Sequence, residues 1–225
     1  MAKINSGRDA ILAKITAALV APEERTPTRE SEYAGIERTY RRQGTLEAKA
    51  RLDLFEERLR EYDGGVHRVS IADIENAAAT LTAIIAEVLA LRGKRRLAIP
   101  TGLPTEWLPV GFDFIEADGL SASELDSCEG VLSCCTVAIA LTGSIVLQNM
   151  PGQGPRKLSL VPDYHLCIVR ADQIVETVPE AMARLAPTAS LPTTFISGPS
   201  ATADIEMTRI KGVHGPRFLD AILIV

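Results

Sequence analysis

From Gly65 onward the chain alternates short apolar runs with stretches of helical period, and this alternation restricts its fold more than any other feature. Ser70 and Asp73 stand at capping distance before a helix rich in Ala, Leu and Ile that stops at Gly93. Arg95-Arg96 then leads into an apolar strand over 97–99. Further strands are expected at 114–115, 139–147, 166–169, 193–196 and 221–225, with helices near 121–127 and 172–185. Strands this short and apolar, separated by helices, are buried on both faces, so the pattern predicts an open α/β sheet with cover on each side.

The N-terminal third reads differently. Ser6 precedes Asp9 by three residues, and Ile11, Leu12, Ile15, Ala18 and Leu19 share one face, which predicts an amphipathic helix over 6–19. A polar stretch with Pro22, Pro27, Gly35 and Gly44 follows. Leu52, Phe55, Leu59 and Tyr62 then recur at steps of three and four, giving a second helix that ends at Gly64-Gly65. The sequence thus divides into an N-terminal helical arm, 1–62, and an α/β domain, 63–225. Helices so short are marginal in water alone, so the arm is expected to bury its apolar face on the domain or on a second copy, making a homo-oligomer.

Charge and cysteine usage exclude several classes. The chain has 29 acidic against 24 basic residues, a formal net charge of -5, so no global field draws a nucleic acid. Its apolar stretches, such as VLALRGKRRLAI, are broken by charges long before the roughly 20 residues a bilayer span needs. The start MAKINSGRDA has no apolar core of a signal peptide, and a cytoplasmic protein is expected. The four cysteines, Cys128, Cys134, Cys135 and Cys167, form no C-x-x-C, and adjacent Cys134 and Cys135 project in divergent directions. They read as buried thiols, with no metal and no cofactor of this chain's own. Neither a P-loop nor a G-x-G-x-x-G fingerprint occurs.

Three turns carry the chemistry that remains. Thr142-Gly143-Ser144 sits between apolar runs, with Gly143 suited to a left-handed turn and two hydroxyls at the hairpin tip. The stretch FISGPSATADIE leads from a strand through Gly198, Pro199, Ser200 and Ala201 to Thr202, Asp204 and Glu206, where a helix start would gather free N–H groups around an anion. Alternatively, Ser200 or Thr202 merely caps that helix and the acids complement its dipole. His214, in GVHGP, is held on a turn where a neutral imidazole exchanges protons near neutral pH, or else satisfies backbone groups there. Glu206 and His214 are the candidate proton-transfer residues, and Asp204 is expected to orient its turn. His165, ahead of a buried strand, carries the same two readings as His214, a proton-transfer residue or, more simply, a histidine whose nitrogens are satisfied by backbone groups. Arg156 or Lys157, following the glycine-rich GQGP, has the charge to clamp an anion. Because open α/β sheets bind ligands beyond the carboxyl ends of their strands, the three turns are expected to converge there on one small anionic ligand.

The blocks AIALTGSIVL, PGQGPRKLSLVPDYH, TFISGPSATADIE and KGVHGP, in this order, resemble the LUD domain of the lactate-utilisation protein C family, over roughly 66–225. DAILAKITAAL is similar to that family's N-terminus as well. The resemblance implies a three-layer NagB/RpiA/CoA-transferase-like α/β fold. It also implies a place in an iron–sulfur-dependent system that oxidises L-lactate to pyruvate, beside iron–sulfur partner subunits. One departure stands out: relatives usually carry an acid directly before Thr-Gly, where this chain has Leu141. A stand-alone enzyme of the same fold, acting on a sugar phosphate or acyl-CoA through Glu206 or Asp204, is the alternative, as is a structural subunit docking through the arm. Leu141 weighs against the enzyme, since an apolar side chain transfers neither protons nor acyl groups.

Overall fold

The computed structural model describes residues 6–19, 33–71, 76–202, 210–211 and 215–225; Asp73, Asp204, Glu206 and His214 lie outside them. The chain forms two compact units, Met1–Tyr40 and Arg41–Val225. The first contains helix α1, Ser6–Leu19. In that unit the Arg38 guanidinium lies 4.6 Å from the centre of the Tyr33 ring and donates to the carbonyls of Tyr33 and Ile36, each at 3.0 Å.

The second unit opens with α2, Ala48–Glu61, followed by β1, Gly65–Val69, and α3, Ala77–Leu91. Then come β2, Arg96–Ile99, β3, Asp113–Glu116, α4, Ala122–Asp126, and β4, Gly130–Cys134. The hairpin of β5, Val137–Ile139, and β6, Ser144–Gln148, precedes β7, Tyr164–Arg170, and β8, Ile174–Val175. Helix α5, Val178–Leu185, leads to β9, Thr193–Ile196, and the short β10, Ala201–Thr202, and β11, Ile210–Lys211. Strand β12, Phe218–Ile224, closes the unit.

Six strands form one parallel sheet in the order β1-β12-β7-β4-β2-β3. Its central strands are apolar on both faces, and the two faces meet different partners. Leu166 and Ile168 of β7 and Ile222 of β12 pack with Leu81, Ile85 and Leu89 of α3. The alternate residues Cys167 and Val169 of β7, with Ala221 and Leu223 of β12, pack with Phe55 and Leu59 of α2 and with Ala138, Ile145 and Leu147 of a second sheet. That second sheet has the order β8-β5-β6-β9, antiparallel at β5–β6 and β6–β9. Its far face, Val137, Ile139, Val146 and Val175, is covered by Ala181 and Leu185 of α5. The result is a mixed α/β fold whose second layer is a small sheet together with α2.

Helix α2, grouped by its sequence with the arm, therefore belongs to the second unit: Phe55 and Leu59 are 0% exposed. The expected helix over 172–185 begins only at Val178, where Thr177 and Glu180 form a capping box with Pro179 in the first turn. The residues before it are one 3-10 turn and β8, because Ile174 and Val175 pair with Ala138 and Ile139. No helix starts at Thr202, whose backbone pairs instead with Ile210 as an antiparallel strand.

Candidate functional site

A cavity of about 350 Å³ lies at the amino ends of β7 and β12 and beside the carboxyl end of β9. Its position differs from the carboxyl ends of the parallel strands, where open α/β sheets are expected to bind ligands. Among the residues that line it are Arg156, Ser159, His165, Ser197, Ser200 and Leu219.

Two of the three turns meet there. Gly198 through Ala201 form one wall and Gly215-Pro216, next to His214 in sequence, form another. The Ser200 N–H donates to the Pro216 carbonyl at 2.8 Å, which ties the two turns together. Gly198 has φ of +85°, and a Cβ there would lie 2.4 Å from the Tyr62 Cβ. Only glycine lets this turn sit so close behind α2.

The hairpin tip stands one step back from the cavity. Gly143 takes the left-handed conformation, φ 56°, and faces the α2 backbone rather than a ligand space. Ser144 is buried; its Oγ lies 2.8 Å from the Thr142 Oγ1 and 2.6 Å from the Ser197 Oγ, so the tip reaches the cavity wall through Ser197. Leu141 is 44% exposed, and its N–H donates to the Glu176 carbonyl at 3.1 Å.

Of the two cations in the glycine-rich segment, Arg156 faces the cavity and donates to the Thr194 Oγ1 at 3.3 Å. Among the described residues it has no carboxylate partner. Lys157 is turned away, its ammonium donating to the Leu120 carbonyl. His165 is 0% exposed and lies on the cavity wall. Its Nε2 is 2.8 Å from the Ser133 Oγ, whereas its Nδ1 has no hydrogen-bond partner among the described residues. Burial pulls its pKa down to about 4, so the ring is neutral at pH 7. Nothing in the sequence marks this nitrogen as unpartnered, because that depends on which strands flank β7.

The thiols of Cys134 and Cys167 are held protonated. Burial pushes the Cys134 thiol up to about 12, and the Cys167 thiol is raised by its hydrogen bond with Cys135 and by burial. Among the described residues no group of three or more His, Cys, Asp or Glu is placed to hold a metal ion, and no helix is long and apolar enough to cross a membrane. Two further buried carboxylates serve packing. Glu176 accepts the N–H groups of Thr45 at 2.5 Å and Leu46 at 2.7 Å and pairs with Arg41. Asp220 accepts the Arg92 guanidinium at 2.6 and 2.7 Å and the Tyr164 hydroxyl at 2.8 Å.

A parallel six-stranded sheet with a second, smaller sheet packed on one face is the class of α/β fold within which the comparisons place the chain. The LUD domain family matches residues 116–224. The chain is 43% identical to lactate utilization protein C of Deinococcus radiodurans over 176 residues, covering 77% of this chain and 79% of the relative. It is 38% identical to lactate utilization protein C of Shouchella clausii over 85 residues, 36% of this chain and 37% of that one. A crystal structure of a DUF162 family protein from Deinococcus radiodurans superposes with a TM-score of 0.67 at 37% identity, over 80% of this chain and 100% of the other. The chain belongs to the LUD-domain family of lactate utilization protein C.

Proposed function

We propose that the protein is a small-anion-binding component of an L-lactate oxidation system in the cytoplasm, with the electrons carried by iron–sulfur partner subunits. Family membership supports the role in lactate utilisation. The observation that carries the anion reading is Arg156, a guanidinium with no carboxylate partner among the described residues, facing a cavity whose other polar walls are serine hydroxyls and a neutral histidine. A carboxylate fits such a guanidinium in a two-point contact. Gly198, Pro199, Ser200 and Ala201 are the ligand-binding turn in this reading, with Thr142, Gly143, Ser144 and Thr202 supporting it from behind. Asp204 orients the segment after that turn, and Glu206 and His214 are the groups to move a proton. The protonated, buried thiols favour leaving electron transfer to partners.

Isothermal titration of the full-length protein with L-lactate, pyruvate, acetate and inorganic phosphate tests this. At least one carboxylate should bind, and Arg156→Gln should weaken it about tenfold to a hundredfold, since a charge-assisted hydrogen bond contributes about 1.5–3 kcal/mol. No binding by any of these anions, or unchanged affinity in the variant, would refute the reading.

A further inference from the structure

The large sheet has a second opening at its other end, where its strands finish. Alternation along β2 sends its residues to opposite faces: Leu97 and Ile99 pack with α3, whereas Ala98 packs with Leu125 of α4. The connection after β2 follows the first face, since Leu103, Trp107 and Leu108 join the α3 cluster. The connection after β3 follows the second face, through Ala117 and Leu125. Two neighbouring parallel strands whose exits part to opposite faces leave a crevice between their carboxyl ends, and such a switch point is where open α/β sheets bind ligands. A cavity of about 430 Å³ occupies that crevice. Thr101, the second residue after β2, and Asp118, the second after β3, line it from the two sides. Asn149, Met150, Pro151 and Pro155 close it from the segment beyond β6, which is held by the Gly152 N–H donating to the Thr101 carbonyl at 2.8 Å. Thr101, Asp118 and Asn149 are all exposed, so their polar atoms are open to an entering molecule.

We propose that this crevice binds a primary ammonium group, with Asp118 as its counter-ion. The pattern of donors and acceptors selects the class. The Thr101 hydroxyl gives its proton to Asp118 Oδ2 at 2.6 Å, which leaves the threonine oxygen as an acceptor. Asp118 makes no ion pair among the described residues, and its second oxygen accepts no hydrogen bond from them. No lysine or arginine lines the cavity. Of the two that follow Pro155, Arg156 faces the cavity at the other end of the sheet and Lys157 donates to the Leu120 carbonyl. The Asn149 side chain has no partner among the described residues and supplies a further acceptor through its carbonyl. An ammonium carries three donors and no acceptor, and so matches a carboxylate, a hydroxyl oxygen and an amide oxygen. An anion meets the carboxylate and is repelled, and a sugar hydroxyl gains hydrogen bonds without the charge. Met150 and the two prolines give the carbon chain behind the nitrogen an apolar wall. The two cavities thus select opposite charges at opposite ends of one sheet.

The experiment follows the backbone amide resonances of the full-length protein at pH 7 while butylammonium, tetramethylammonium and D-ribose are added in turn. Butylammonium should shift the amides of Thr101, Asp118 and Asn149 and leave those of Ser200 and Gly215, at the other cavity, in place. Tetramethylammonium has the charge without an N–H, and ribose has donors without the charge. Each should bind at least about tenfold more weakly, because each lacks half of the match. Asp118→Asn should weaken butylammonium at least about tenfold, whereas Asp113→Asn, at the opposite end of β3, should leave its affinity unchanged. Asp118 is exposed, so the substitution removes charge without disturbing the core. Shifts scattered over the acidic surface, or no shift at all, would overturn the proposal. So would equal affinity for tetramethylammonium or ribose, or an unaltered affinity in Asp118→Asn. The anion reading of the other cavity is independent of each of these outcomes.

Discussion

Asp220 is a carboxylate with no solvent contact in the third position of β12, and its partners explain why the fold tolerates it. Arg92, at the C-terminal end of α3, reaches it with two nitrogens, and Tyr164 of β7 donates from the other helix-packed strand. Burial raises the carboxyl pKa, but the hydrogen bonds from Arg92, His67 and Tyr164 outweigh it and hold the group well below its ordinary 3.8. The cluster thus clamps α3 to the amino end of the sheet. Asp220→Ala strands the arginine and the tyrosine hydroxyl, and should cost about 3–5 kcal/mol in urea unfolding at pH 7. Because the folded pKa is depressed, the stabilisation is complete above the unfolded value and fades as pH falls below about 4 toward the folded one. The wild-type advantage over the variant should therefore be constant from pH 7 to 5 and shrink below pH 4; an advantage that grows on acidification would contradict the clamp.

At the scale of elements, the joint between α2 and the β5–β6 hairpin decides how the second layer sits. Gly143 is both left-handed and in backbone contact: a Cβ there would meet the Arg58 carbonyl carbon and the Leu59 nitrogen at 2.9 Å each. Neither is the movable end of a side chain. Gly143→Ala should lower stability by about 2–4 kcal/mol, combining left-handed strain with overpacking, and thermal melts of the variant would measure it. A loss below about 0.5 kcal/mol would mean that α2 floats over the hairpin. The turn itself was legible from Thr142-Gly143 between apolar runs, as were the strands at 97–99 and 193–196, because period and punctuation agree there. Strand β1 was not, since GVHRV carries His67 and Arg68 and is a sheet edge with polar side chains half in solvent. Strand β4 was hidden by its Ser133 and Cys134, which draw attention as chemistry rather than as strand residues. The candidate site divides in the same way. Glycine and proline announced the 198–201 and 215–216 turns, and charge announced Arg156. His165 stayed ambiguous, because which groups reach its two nitrogens follows from strand order, which no local pattern encodes.

For the whole molecule, the boundary that matters is the one between Tyr40 and Arg41, because α2 lies on the core side of it. Leu52, Phe55 and Leu59 fill the space between the two sheets, and removing them would open a cavity along Cys167, Val169 and Ala221. Large-to-small changes at such positions cost about 2–5 kcal/mol each, and a domain's whole stability is about 5–15 kcal/mol, so losing the helix exceeds what the fold can tolerate. The segment ahead of it is tied down as well: the buried Glu176 carboxylate, its pKa lowered by the N–H of Leu46, by that of Thr45 and by Arg41, anchors 41–46 to the end of β8. Deletion of residues 1–40 should accordingly leave 41–225 with a cooperative thermal transition and native circular dichroism. Deletion of 1–62 should leave 63–225 without a cooperative transition, exposing the apolar face that α2 covers. The same pair of proteins separates packing from docking, since gel filtration of 41–225 against the full chain reads any role of the first unit in holding a second copy. A cooperative melt of 63–225 close to that of the full chain would show that α2 is dispensable, and would return the boundary to 62/63, where the sequence pattern alone puts it.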